Sequence, residues 1–132
     1  MNAKFIILIM GRSGAGKSTY YNKYKDSFES HLYLNNDSVR QSSDNKDFSI
    51  QGRLNAAKEM TKRISNSENE LVVVDMICPL KEMRKIISPH MIIWIDREFE
   101  SFYKDTDKIF EPPTEEECEI FVKLFNSPTL TS

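Results

Sequence analysis

Gly11-Arg12-Ser13-Gly14-Ala15-Gly16-Lys17-Ser18, followed by Thr19, decides the fold of this chain. The stretch fits G-x-x-x-x-G-K-[ST], the phosphate-binding loop that joins a buried strand to a helix. Glycines let successive backbone N–H groups turn inward and cradle phosphate oxygens. A helix opening near Gly16 aims its positive dipole end and unpaired amides at the same anions. Lys17 supplies a mobile cation, and the Ser18 hydroxyl can join a Mg²⁺ shell. The chain has only 4 glycines, and Gly11, Gly14 and Gly16 all lie here. The set expected to hold the nucleotide is therefore Gly11, Ser13, Gly14, Ala15, Gly16, Lys17, Ser18 and Thr19, with ATP and Mg²⁺ as cofactors.

So short a pattern also occurs by chance in ordinary strand–turn–helix segments, and its surroundings decide. Lys4-Phe5-Ile6-Ile7-Leu8-Ile9-Met10 is an unbroken apolar run ending at Gly11, as a parallel strand covered on both faces requires. Beyond Ser18, Tyr20, Tyr21, Tyr24 and Phe28 recur at helical spacing. Strand, loop and helix follow in the required order.

With 132 residues the chain reads as one domain, 1–132, long enough for a real core. A composition of 39% hydrophobic and 29% charged residues is that of a globular protein and excludes wholesale disorder. No apolar run is long enough to span a bilayer, and the N-terminal run has neither a basic lead-in nor a cleavage site. Cys78 and Cys118 are isolated thiols that fit a reducing compartment, so a cytoplasmic location is expected. His31 and His90 carry no ligand spacing. A net charge of −2 gives no general attraction to nucleic acid. The expected partner is a small-molecule substrate, with no membrane. The pattern does not separate a monomer from a homodimer.

Further along, 31–34 is a short strand running into Asn35-Asn36-Asp37-Ser38-Val39-Arg40. Residues 41–47 form a polar loop without periodicity. Ile50, Leu54, Ala57, Met60 and Ile64 trace an apolar stripe on a helix over about 49–65. Residues 71–76 form a second buried strand. Pro79 favours a helix whose inner face is Leu80, Met83 and Ile87, and Pro89 stops it. A third buried strand spans 91–96, followed by a charged helical segment, 97–108. Residues 119–124 read as a fifth, edge strand, although Thr114-Glu115-Glu116-Glu117 also resembles a helix start. Strands alternating with helices predict an α/β fold: a three-layer α/β/α phosphate-loop (P-loop) NTPase fold with a mainly parallel sheet of about five strands. Ligands of such sheets bind beyond the strands' carboxyl ends. Polar residues gather there: 11–18, 35–37, 75–78 and 96–97.

Asp37 reads either as a helix cap or as a carboxylate that orients an acceptor hydroxyl or a metal-bound water. Arg40, three residues on, would share its face and grip an anionic acceptor. Asp75 ends a strand where many phosphate-loop proteins place the carboxylate of the Mg²⁺ shell; the alternative is a solvated strand end. Arg53 lies close to a helix start, able either to reach the cleft or to face solvent. Phe48 is either core or a platform for a flat base. Arg97, Lys104 and Lys108 fall where small kinases carry a lid, but the same charges suit an ordinary solvated face.

Together these residues resemble the adenylylsulfate kinase family. Residues 11–19 look like its phosphate loop, and Leu34-Asn35-Asn36-Asp37-Ser38-Val39-Arg40 is similar to its L-D-G-D-N-[VL]-R. Phe48-Ser49 with Arg53 matches its F-S-x-x-x-R, and Ile77-Cys78-Pro79 looks like its I-S-P. The resemblance covers residues 4 to about 87. It implies transfer of the ATP γ-phosphoryl group to the 3′-hydroxyl of adenylyl sulfate. Lys17 and Asp37 would be catalytic, Arg40, Phe48, Arg53 and Ile77 would contact the acceptor, and Ser18, Asp37 and Asp75 would attend the metal. The chain departs from the family at Asn35, which replaces an aspartate, and at Ser38 and Ala56, which replace asparagines. Asp75 stands where the family has a small polar residue, and the R-D-P-K-G-L-Y lid segment is missing. Asp37-x-x-Arg40-Gln41 with Asp75 also resembles polynucleotide 5′-hydroxyl kinases, whose acceptor is a nucleic-acid end. A third reading is a nucleotide-binding module without kinase activity, although the N-K-x-D signature of GTPase switches is absent.

Overall fold

Side chains along a strand alternate between faces, so the unbroken apolar runs found by sequence must be covered twice. The computed structural model, which describes residues 4–12, 14–96 and 104–125, meets that demand. Strands β1 (Phe5–Met10), β2 (Leu32–Asn35), β3 (Leu71–Asp75), β4 (Met91–Asp96) and β5 (Ile120–Phe125) form one 5-stranded sheet in the order β2-β3-β1-β4-β5. Every pairing is parallel. The helices are α1 (Lys17–Tyr24), α2 (Asn36–Ser42), α3 (Ile50–Asn66), α4 (Lys81–Ile87) and α5 (Lys104–Ile109).

From β1, Ile6, Leu8 and Met10 enter a core with Met60 and Ile64 of α3 and Met83 and Ile87 of α4. Ile7 and Ile9 pack on the opposite side with Val73 and with Tyr21 of α1. The result is three layers, α1 on one face and α2, α3 and α4 on the other. Leu8, Ile9, Met10, Val72, Val73 and Val74 have no accessible surface. Burying one such side chain contributes about 1.5–3 kcal/mol, so the two central strands anchor whatever sits at their ends. The register places those ends level: Asp75 is paired with Ile9 on one side and with Asn35 on the other.

Most expected elements are present within a residue or two. The sheet is wholly parallel rather than mainly so, and 120–125 is its edge strand. The helix start suggested at 114 is a 3₁₀ turn, Glu115–Glu117, closed by a capping box between Thr114 and Glu117. Pairing with β4 carries the chain straight on into β5 instead of winding it further. The aromatic stripe after Ser18 is also narrower than its spacing implies. Tyr21 is buried, Tyr20 is half-buried and Tyr24 is exposed, and the α-helix tightens into a 3₁₀ turn at Lys25–Ser27. On α3 the apolar stripe fails at its first member. Ile50 is 56% exposed, while Gly52, Arg53 and Ala56 turn inward. Of the charged segment 97–108, residues 97–103 lie outside the described residues, and 104–109 form α5.

Candidate functional site

The phosphate loop emerges from β1 with Gly14 at φ 80° and Gly16 at φ 102°, left-handed values that glycine adopts without penalty. The Ala15 amide closes the turn on the Arg12 carbonyl at 3.0 Å. Gly11 is required for a different reason. A Cβ there would stand 2.5 Å from the Ile95 carbonyl oxygen and 3.2 Å from the Ala15 Cβ. Gly16 is the N-cap of α1 and offers no side-chain cap, which leaves the first-turn amides of Lys17, Ser18 and Thr19 for an external anion. Ser13 lies outside the described residues.

Asp75 is the hub of the site. It is 3% exposed, at the end of strand β3. Its Oδ2 accepts from Ser18 Oγ at 2.7 Å and from Tyr33 Oη at 2.6 Å, with Asn35 Nδ2 at 3.5 Å. The Tyr33 phenol is pushed up to about 12, first by burial and then by its hydrogen bond to Asp75. Nothing in the sequence pattern singled out Tyr33. The signal was there in principle, since residues two apart on a strand share a face and Tyr33 precedes Asn35 by two.

Lys17 is a half-buried cation whose Nζ rests 3.5 Å from the Arg12 carbonyl oxygen. Burial lowers its pKa from the ordinary 10.5, while the charges of Asp75 and then Asp37 oppose the shift. Asp37 is therefore close enough to be felt by Lys17, and its side chain is exposed. It does not cap α2. Asn35 does, its Oδ1 accepting from the Asp37 amide at 2.9 Å and the Ser38 amide at 3.4 Å. The Asp37 carboxylate is thereby released from structural duty at the helix end.

Arg40 and Arg53 are both 7% exposed and flank one aromatic ring. The Arg40 guanidinium carbon lies 4.4 Å from the Phe48 ring centroid and that of Arg53 lies 5.7 Å from it. Phe48 itself is 61% exposed, so the ring is held by two cations and remains open to solvent. Arg40 Nη1 donates to the Asp47 carbonyl at 3.0 Å and to Asn45 Oδ1 at 3.2 Å. Its pKa is lowered by burial and by the Arg53 charge, against the opposing pull of Asp47 and Asp37. Arg53 donates to the Phe48 carbonyl at 2.9 Å and to the buried Thr106 hydroxyl of α5 at 3.0 Å. Of residues 41–47, expected as a loop, 41 and 42 close α2, and 43–47 are ordered by backbone hydrogen bonds at the helix end and by side chains. Asn45 also bonds the Gly52 carbonyl at 3.1 Å, and a Cβ on Gly52 would fall 2.2 Å from the Asp47 carbonyl oxygen. The sequence reading missed Asn45, Gly52 and Thr106.

Ile77 is half-buried in the segment that leaves β3. Its neighbour Cys78 adopts φ 51°, and the Cys78 carbonyl accepts from Arg84 Nη1 at 2.9 Å. Arg84 is itself buried and paired with Glu117 at 2.6 Å. Burial pushes the Cys78 thiol up to about 12, which makes it an inert packing group.

Among the described residues no group of 3 or more His, Cys, Asp or Glu side chains could hold a metal ion by itself. Mg²⁺ does not need one. It takes hard oxygen ligands, keeps several waters, and uses one or two carboxylates together with phosphates. The Ser18 hydroxyl and the Asp75 carboxylate, in contact beside the loop, fit that requirement, and Asp37 adds an exposed carboxylate nearby.

No protein-family model matches the sequence, and no curated protein matches it. Solved structures do match. APS kinase CysC of Mycobacterium tuberculosis, in complex with AMPPNP and APS, aligns over 93% of this chain and 90% of its own, with TM-score 0.69 at 15% identity. A gluconokinase from Sinorhizobium meliloti aligns over 95% of this chain and 84% of its own, with TM-score 0.67 at 17% identity. A sugar kinase from Janibacter aligns over 92% and 85%, with TM-score 0.66 at 12% identity. The chain has the α/β fold of P-loop kinases, and these neighbours are kinases of small molecules. No helix among the described residues is long and apolar enough to cross a membrane.

Proposed function

We propose that this protein is an ATP-dependent kinase that passes the γ-phosphoryl group to a hydroxyl of a small anionic acceptor, adenylyl sulfate being the leading candidate. The observation that carries the reading is the Ser18–Asp75 contact of 2.7 Å beside a loop whose Gly14 and Gly16 hold positive φ. Backbone amides of the loop and the first turn of α1 bind the triphosphate, and Lys17 adds a cation where charge develops in the transition state. Ser18 and Asp75 would hold Mg²⁺, directly or through water, and the ion would supply charge neutralisation at the phosphates. Asp37, exposed and within the field of Lys17, accepts or orients the acceptor's hydroxyl proton.

The acceptor side is Phe48 with Arg40, Arg53 and Ile77. The exposed ring suits a flat base, and the two guanidiniums behind it hold it rigid and make the neighbourhood cationic. Because hydrogen bonds to the loop and to Thr106 already engage both arginines, their contribution to an anionic acceptor is mainly through field and positioning.

A transfer screen with γ-labelled ATP tests the reading over adenylyl sulfate, nucleoside monophosphates, sugars and 5′-hydroxyl oligonucleotides. Label on adenylyl sulfate supports it in full, and label on another small acceptor keeps the kinase and replaces the substrate. Label on oligonucleotides moves the acceptor to a nucleic-acid end. ATP binding with no transfer to any acceptor would leave a nucleotide-binding module and overturn the proposal.

A further inference from the structure

We infer that Tyr33 is a positioning residue for Asp75, its hydroxyl and that of Ser18 together occupying Oδ2 so that Oδ1 is left for a metal-bound water. The inference rests on the kinase reading above, since it assigns Asp75 to the metal.

The hydrogen bonds that Asp75 accepts from Ser18 Oγ, Tyr33 Oη and Asn35 Nδ2 all fall on Oδ2. A carboxylate has two equivalent oxygens and a soft terminal torsion, so nothing intrinsic chooses which one faces a cation. Here the choice is made from outside the loop. Tyr33 lies on β2 opposite Val73, two residues before the register pair Asn35 and Asp75, so its ring lies along the strand and its hydroxyl reaches the carboxylate. The ring is itself clamped. Tyr21 of α1 stacks on it with centroids 3.7 Å apart and planes 7° from parallel.

Tyr21 is anchored in turn. The Glu29 carbonyl can only accept, so His31 Nδ1 donates to it at 2.8 Å, and His31 Nε2 is hydrogen-bonded to Tyr21 Oη at 2.8 Å. One aromatic pair therefore ties together α1, which carries Lys17 and Ser18, β2, and the carboxylate at the end of β3. A tyrosine needed only for packing would gain the same stack without its hydroxyl, and the phenol's 2.6 Å bond is the feature that packing does not explain.

The test compares the affinity of AMPPNP by calorimetry in excess Mg²⁺ and in EDTA, for the wild type and Tyr33→Phe, which keeps the ring and its stack. The expected result is a loss of about tenfold in the Mg²⁺-dependent gain, the size of one hydrogen bond to a charged group, with affinity in EDTA unchanged. An equal loss in both buffers would make Tyr33 a structural residue, and no loss in either would show its hydroxyl irrelevant to the metal; both overturn the inference and leave the kinase reading intact. A wild type whose AMPPNP affinity ignores Mg²⁺ would instead refute the metal assignment on which the inference depends. Should Tyr33→Phe be too unstable to titrate, a structure of the wild type with Mg²⁺ and AMPPNP decides. Tyr33 Oη still bonded to the oxygen of Asp75 remote from the metal supports the inference, and a phenol swung away from Asp75 refutes it.

Discussion

Replacing Gly11 by alanine adds one methyl group at the hinge between β1 and the phosphate loop. Its carbon would sit 2.5 Å from the Ile95 carbonyl oxygen, closer by roughly 1 Å than optimal van der Waals separation. Neither side yields easily. Ile95 is held in β4 between β1 and β5, and Met10 is paired with Trp94. The second contact, 3.2 Å to the Ala15 Cβ, closes the other escape route. Strain must then go into the loop, at a typical overpacking cost of about 1–3 kcal/mol. For a domain of this size that lowers the melting temperature by very roughly 3–15 °C. A loop displaced by about 1 Å also loses its aim at the phosphates, and misplacement on that scale costs on the order of 10²-fold in turnover. Thermal melts and calorimetric titration with AMPPNP measure the two consequences separately. A Gly11→Ala protein that melts within about 2 °C of the wild type and binds AMPPNP normally would refute the argument, because it would mean that the loop does not leave the sheet beside Ile95.

Lys17→Ala should reduce turnover by about 10²-fold or more, since one preorganised charge contact is worth a few kcal/mol in the transition state; γ-phosphate transfer assays measure it, and near-normal turnover would count against the scheme. Burial lowers the Lys17 pKa from 10.5 in the free protein, and a bound triphosphate should raise it again. In the interval between the two values, binding takes up a proton and ATP affinity falls as pH rises; calorimetry in buffers of different ionisation enthalpy reads the uptake, and an affinity flat up to pH 10.5 would contradict it. Gly52→Ala places a Cβ 2.2 Å from the Asp47 carbonyl oxygen, but the exposed loop can move where β4 cannot. Its overpacking cost of about 1–3 kcal/mol is partly offset by about 1 kcal/mol of helix propensity. Displacing Phe48 should raise the acceptor KM several-fold and leave the AMPPNP affinity unchanged.

Local chemistry made much of this legible in advance. A strand with both faces covered must be apolar throughout, which is why β1, β3 and β4 stood out. A loop that binds phosphate through its amides must be rich in glycine, which is why 11–18 did. The edge strand β5 was harder because its alternation is mixed: Ile120 is 45% exposed and Phe125 57%, with partners on one side only. The stripe on α3 misled at Ile50 because periodicity cannot see that Arg53 turns inward to reach Thr106, 53 residues away. Asp37 read either as a cap or as a functional carboxylate, and the structure removes the first reading, because Asn35, two residues earlier, is the cap.

From the sequence alone came the strands, the helices other than α2, the phosphate loop, and the expectation that Asp37, Arg40 and Asp75 lie at the carboxyl ends of strands. Those follow from constraints that act within a few residues: side-chain alternation, glycine's torsional freedom, and the geometry of a helix start. Tertiary structure alone decided that Tyr33 and Ser18 share one oxygen of Asp75, that Arg40 and Arg53 brace Phe48, and that Gly52 exists to let Asp47 approach. The first depends on sheet register, which brings residues 18, 33 and 75 together from distant parts of the chain. The other two join residues only five to eight apart, but they depend on how the loop before α3 folds back on α2 and α3, which no periodicity encodes.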